Sequence, residues 1–153
     1  MESVEGKSGV TEFAEKKGVV EISIPSRMDF VSIVRMIVTA ATDVTDSLHD
    51  HRVDDLRWVT SEATTNAIEA NLNNSGGQVH IRCELSVGLV RLIVTDEGPG
   101  IVELNDITNI NQAASNEVEG SIGIPLMKHL SNVWNFTSDS AGTRVEMELH
   151  QAV

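Results

Sequence analysis

The feature that most constrains this chain is a change of hydrophobic period part-way along it. Between Phe30 and Ala70 apolar residues recur every three to four positions, the spacing of helices with one buried stripe. From Gln78 to Asp96, and again from Gly142 to Leu149, they alternate with polar residues, the spacing of strands with one buried face. Half-apolar helices and half-apolar strands must bury those surfaces against each other. The expected fold is therefore an α/β (α+β) two-layer sandwich, a mixed, mostly antiparallel sheet with helices on one face.

Val19 to Ile24 has the first strand pattern, closed by Pro25, and Ser26 with Asp29 three positions on has the form of a capping-box variant. The first helix then carries Phe30, Ile33, Val34, Ile37, Ala41, Val44 and Leu48. A second follows Asp54 and Asp55, with Leu56, Val59, Ala63, Ala67 and Ala70 on one stripe, until Asn73-Asn74-Ser75-Gly76-Gly77 breaks it. Val79, Ile81, Cys83 and Leu85 begin a hairpin that turns at Gly88 and returns to Asp96. Ile101 to Glu119 is polar, Asn-rich and long for a connection without a function, so a lid is expected there. Pro125 suits the first residue of a third helix bearing Leu126, Met127 and Leu130, and Gly142 opens a last strand. The order is β-α-α-β-β-lid-α-β-β. Met1 to Gly18 is expected to be a flexible tail, and residues 19–150 a single domain.

With 23 acidic against 11 basic residues, the 153-residue chain has a formal charge of −12. Phosphate backbones and anionic lipid surfaces are met by clusters of Lys and Arg, which are missing here, so neither nucleic acid nor membrane is expected as a direct partner. Cys83 stands alone and cannot form an internal disulfide or a Cys-rich zinc site. The start MESVEGKSGV is polar, and the apolar run FVSIVRMIVTAA is short and broken by Arg35. A cytoplasmic protein is expected.

Strand parity places Asp96 with Val90, Leu92 and Val94, and Thr143 with Val145, Met147 and Leu149, so both stand at strand ends on the core-facing side. A carboxylate there needs a donor. Glu97-Gly98-Pro99-Gly100 follows, two glycines where backbone turns tightly or approaches a ligand; taken alone, an ordinary turn fits as well. Glu62 and Asn66 share one helix face beside Ala63 and Ala67, and a Glu with an Asn so aimed can deprotonate a hydroxyl and hold Mg²⁺; the plainer alternative is a solvated helix face. Gly120-Ser121-Ile122-Gly123 precedes a helix N-terminus, which binds anions or simply hinges. His49 and His51 lack a matching distant pair of metal ligands, and Cys83 alternates with core residues, so solvent and core respectively are expected for them.

Taken together, Ser61-Glu62-Ala63-Thr64-Thr65-Asn66-Ala67, Asp96-Glu97-Gly98-Pro99-Gly100-Ile101, Gly120-Ser121-Ile122-Gly123-Ile124 and Gly142-Thr143 resemble, in order and spacing, the N box, G1 box, G2 box and closing Gly-Thr of the Bergerat-fold (GHKL, histidine-kinase-like) ATPases. The short chain resembles the anti-sigma-factor serine-protein kinases within that superfamily, over roughly Val19 to Leu149. The resemblance implies ATP as substrate and Mg²⁺ as its companion. Asp96 would accept the adenine amine and Thr143 support the adenine end. Gly98, Gly100 and Ile101 would line the pocket. Gly120, Ser121 and Gly123 would meet the phosphates, Asn66 would hold Mg²⁺, and Glu62 would be the general base for a protein serine. The partners implied are a sigma factor and a STAS-domain anti-anti-sigma protein, with a homodimer as the assembly.

Three positions depart from the family pattern. Ser121 stands where a glycine is usual, no Lys or Arg occurs between Arg91 and Lys128, and Ala70-Asn71 replaces a common His-Ala pair. Because phosphoryl transfer depends on positioned positive charge, the second departure keeps open a non-catalytic or nucleotide-independent partner-switching module. A switch kinase acting on a STAS scaffold of a stress-signalling complex is the third alternative, suggested by Ile124-Pro125-Leu126.

Overall fold

The alternating run ahead of Pro25 is strand β1 (Lys16–Pro25), and a single 3-10 turn (Met28–Phe30) leads from it into helix α1 (Val31–Thr45). The computed structural model describes residues 16–72, 77–97 and 123–152. Helix α2 (His51–Leu72), the hairpin β2 (Gln78–Ser86) and β3 (Leu89–Asp96), helix α3 (Gly123–Leu130), and strands β4 (Val133–Asp139) and β5 (Gly142–His150) complete the expected order. Lys16, Lys17 and Gly18, assigned to the tail from their polarity, belong to β1, where Lys16 pairs with Ser86 and Gly18 with Leu85. The remainder of that tail and the expected lid lie outside the described residues.

The described strands make one sheet in the order β1-β2-β3-β5-β4, and each of its pairings is antiparallel. One face carries Val79, Ile81, Cys83, Val90, Leu92, Val94, Val145, Met147 and Leu149, all buried, and the helices cover it. The other face is charged. There Glu21 stands opposite Arg82, Glu84 opposite Arg91, and Arg91 opposite Glu148, so opposite charges meet across three successive strand pairs. Two solvated rows of like charge would have repelled; these attract, in agreement with the register that the buried apolar alternates on the helix side require.

The helices differ in detail from their sequence patterns. In α1 the buried positions are Val34, Val38 and Thr42, whereas Ile33 and Val44 are exposed, Val44 at 84%. Apolar residues cover more than half of this helix, opposite Ser32, Arg35, Thr39 and Asp43, so spacing alone could not choose which part of that wide arc is buried. Ser26 does not cap it: the residue ahead of the 3-10 turn is Arg27, without a side-chain cap, and Ser26 Oγ instead donates to the Gly77 carbonyl at 2.7 Å. Helix α2 starts at His51, ahead of the Asp54-Asp55 pair taken as its beginning, with turn bonds from Arg52 N to His49 O and from Val53 N to Asp50 O. Pro125 falls in the first turn of α3 rather than at its first residue, where its missing N–H still leaves no bond unmade.

Arg52 joins the far end of the helical layer to the sheet. Its guanidinium, 4% exposed, donates to His150 O at 2.9 Å, to Leu130 O at 3.1 Å, to Asn132 Oδ1 at 2.8 Å and to Asp55 Oδ2 at 2.8 Å. A cation on the last carbonyls of α3 suits the negative end of that helix. The Arg52 side chain therefore ties the C-terminal end of α3 to the end of β5. Among the described residues no helix is long and apolar enough to cross a membrane.

Candidate functional site

The antiparallel register brings Gln78 at the start of β2, Asp96 at the end of β3 and Thr143 at the start of β5 to the same end of the sheet. Asp96 is 4% exposed on the core-facing side, as its parity requires, and its Oδ1 accepts the N–H of Thr143 at 3.2 Å. A buried carboxylate is costly without donors, and here the sheet supplies one from a neighbouring strand. Gly142, just ahead of Thr143, has φ +146° and lies so close to the Asp96 carbonyl that a Cβ would stand 2.1 Å from its oxygen. Glycine is therefore the residue the packing requires at that position.

Helix α2 runs along the sheet from Arg52, bonded at the His150 end, to Asn71, bonded at this end, and between them displays Glu62 and Asn66 one turn apart, both half-buried and flanked by buried Ala63 and Ala67. Burial pushes the Glu62 carboxyl above its ordinary value, and the nearby Glu69 pushes it further the same way. A carboxylate so shifted holds a proton more strongly than a solvated one. Gly123 opens α3, whose first amides have no partners within the helix. Gly98, Gly100, Ile101, Gly120 and Ser121 lie outside the described residues.

Asn71, read from sequence only as a departure at the helix end, is a structural junction. It is fully buried; its Nδ2 donates to Ser26 Oγ at 3.0 Å and to Gln78 O at 3.0 Å, and its Oδ1 accepts the N–H of Glu97 at 3.0 Å. Glu97 then folds back on β2: Oε1 accepts the Gln78 N–H at 3.1 Å, and Oε2 lies 2.9 Å from His80 Nε2. The His80 contact, followed by the Gln78 amide, holds the Glu97 carboxyl below its ordinary value. The available sequence signal was a polar residue on the buried stripe of α2, one turn beyond Ala67.

The remaining candidates behave as their surroundings dictate. His49 and His51 are exposed, and no group of metal-ligating side chains occurs among the described residues. Cys83 is buried, which pushes its thiol up to about 12, so it is a core residue and not a thiolate nucleophile. The Asp96 end of the sheet thus holds a buried carboxylate, bonded to Thr143 and backed by the closely packed Gly142, while α2 carries Glu62 and Asn66 on one half-buried face.

Comparison with known proteins agrees. Residues 24–149 match the family model of the histidine kinase-like ATPase domain. An anti-sigma F factor of Bacillus licheniformis is 31% identical over 122 residues, spanning 78% of this chain and 83% of that protein. An anti-sigma F factor of Geobacillus thermodenitrificans is 30% identical, over 86% of this chain and 91% of that protein. The serine-protein kinase RsbW of Staphylococcus aureus is 24% identical, over 75% and 76%. Among solved structures, the histidine kinase domain of the blue-light-activated histidine kinase EL346 from Erythrobacter litoralis shares the fold with a TM-score of 0.50 at 20% identity, over 87% of this chain and 68% of that one.

Proposed function

Because the chain belongs to the histidine kinase-like ATPase domain family, we propose that it is an ATP-dependent serine-protein kinase and anti-sigma factor of a partner-switching module, which phosphorylates a STAS-domain anti-anti-sigma protein and sequesters a sigma factor. The observation that carries the proposal is the buried Asp96 carboxylate, tied to Thr143 at the end of the sheet that α2 reaches with Asn71, beyond Glu62 and Asn66 on the same helix. Asp96 accepts the exocyclic amine of adenine, Thr143 supports the base, and Gly98, Gly100 and Ile101 complete the pocket. Gly120, Ser121 and Gly123 meet the phosphates with backbone amides and a hydroxyl. Asn66 would hold Mg²⁺ through its side-chain oxygen, and the ion would supply neutralisation of phosphate charge. Glu62 takes the proton of the acceptor serine as its oxygen bonds to the transferred phosphorus, and ADP leaves. The net charge of −12 suits docking of a basic, DNA-binding segment of a sigma factor.

The absence of Lys and Arg between Arg91 and Lys128 supports a second reading, a partner-switching module that binds without phosphorylating. Calorimetric titration with ATP and ADP in the presence of Mg²⁺ tests the pocket, and transfer of the terminal phosphate to a STAS-domain serine tests the kinase. Asn66→Ala is expected to lose Mg-ATP, whereas Glu62→Ala keeps nucleotide and loses transfer. Equal loss of binding in both removes Glu62 as the base; binding without transfer in the unmodified protein favours the second reading; no binding by folded protein removes the nucleotide site.

A further inference from the structure

The peptide unit that joins Asp96 to Glu97 is gripped from both layers. Its carbonyl oxygen packs against Gly142 of β5, too near for any Cβ, and its N–H is bonded to Asn71 Oδ1 of α2. Asn71 is in turn immobilised by its two amide donations, to Ser26 Oγ after β1 and to Gln78 O at the start of β2. A peptide plane bonded through its N–H and closely packed at its carbonyl has restricted rotation, and with it ψ of the preceding residue. The backbone that carries Asp96 is thus held on its C-terminal side by a side chain on a different element, while the Thr143 N–H holds the carboxylate itself.

We propose that Asn71 is a positioning residue for nucleotide selectivity: by holding the Asp96–Glu97 peptide it fixes the orientation in which the Asp96 carboxylate meets the amine of adenine. This inference rests on the assignment of Asp96 to the adenine base. Asn71 itself touches no substrate. Its single acceptor bond is made to the residue that must not turn, and its two donor bonds tie it to segments on either side, so its loss loosens the pocket floor without removing a pocket group. The base discriminates because an amine donor and a carbonyl acceptor demand opposite partners; a carboxylate free to turn away from the base no longer enforces that demand.

The test is calorimetric titration of Asn71→Ala and, as a control, Ser26→Ala, with ATP and with GTP. Asn71→Ala is expected to bind at unchanged stoichiometry but about tenfold more weakly for ATP, the worth of one net hydrogen bond, with its preference over GTP reduced. Ser26→Ala, which spares the bond to Glu97, is expected to keep the wild-type preference. A general loss of fold would lower stoichiometry and Tm without changing the ratio of the two affinities. Asn71→Ala with wild-type affinity and preference overturns the proposal and leaves Asn71 as a structural tie. A wild-type protein that binds no adenine nucleotide overturns the Asp96 assignment and the inference with it. Should Asn71→Ala fail to fold, amide hydrogen exchange of the wild-type protein decides: the Glu97 N–H is expected to be protected to the level of β3, and an unprotected one overturns the proposal.

Discussion

Gly142 and Asp96 are packed backbone against backbone: a Cβ on Gly142 would stand 2.1 Å from the Asp96 carbonyl oxygen, while the next residue, Thr143, donates its N–H to the Asp96 side chain at 3.2 Å. Gly142→Ala must therefore displace the end of β3 or abandon its φ of +146°. A cost of about 2 kcal/mol is expected from such backbone strain, roughly 4–8 °C in Tm for a domain of this size. Because the displaced group is Asp96, ATP affinity is expected to fall together with Tm, which titration beside thermal melting will check.

Arg52 has four acceptors within 3.1 Å and almost no solvent. Arg52→Met removes the one donor shared by Leu130 O, His150 O, Asn132 Oδ1 and the Asp55 carboxylate, of which Asn132 Oδ1 keeps the His150 N–H, and a loss of about 3 kcal/mol is expected in urea unfolding. Arg52→Lys keeps the charge but not the planar fork, so it is expected to fall between the two.

Glu62 has a carboxyl raised by burial and by Glu69, so the folded state binds its proton more tightly than the unfolded state does. The stability this favours is present below the unfolded carboxylate range and is lost as pH rises through the folded value. Glu62→Gln is therefore expected to melt higher than wild type at pH 7, to converge with it in acid, and to lose phosphoryl transfer. Phosphoryl transfer by the wild type is expected to rise with pH as Glu62 ionises. Thermal melts at several pH values, compared between variant and wild type, check the sign.

Cys83 is buried with its thiol pushed up to about 12, so at pH 8 it is protonated and enclosed. Alkylation by iodoacetamide is expected only through opening of the core, at a rate that rises sharply when urea approaches the unfolding midpoint. Prompt labelling of folded protein would contradict the core position.

Much of the site was legible before the fold. Alternation along β3 and β5 placed Asp96 and Thr143 on the core side, and helical spacing put Glu62 and Asn66 on one face, because these follow from periods of two and 3.6 that hold wherever the elements sit. Ser26 shows the limit. Its spacing from Asp29 satisfies a capping pattern, yet the hydroxyl bonds to Gly77 and Asn71, far away in the chain. Local pattern ranks only local partners; a distant carbonyl at 2.7 Å competes with them once the chain is folded.

The sequence by itself determined which residues could be inside, the order of helices and strands, and the four motifs that mark the nucleotide-binding family, since all of these depend on spacing along the chain. The tertiary structure decided which side of α1 is buried, that Arg52 bridges α3 to β5, and that Asn71 of α2 holds the peptide after Asp96 of β3. Each of these is a contact between elements remote in sequence. Its energy depends on distance and desolvation in three dimensions, quantities that no periodicity encodes.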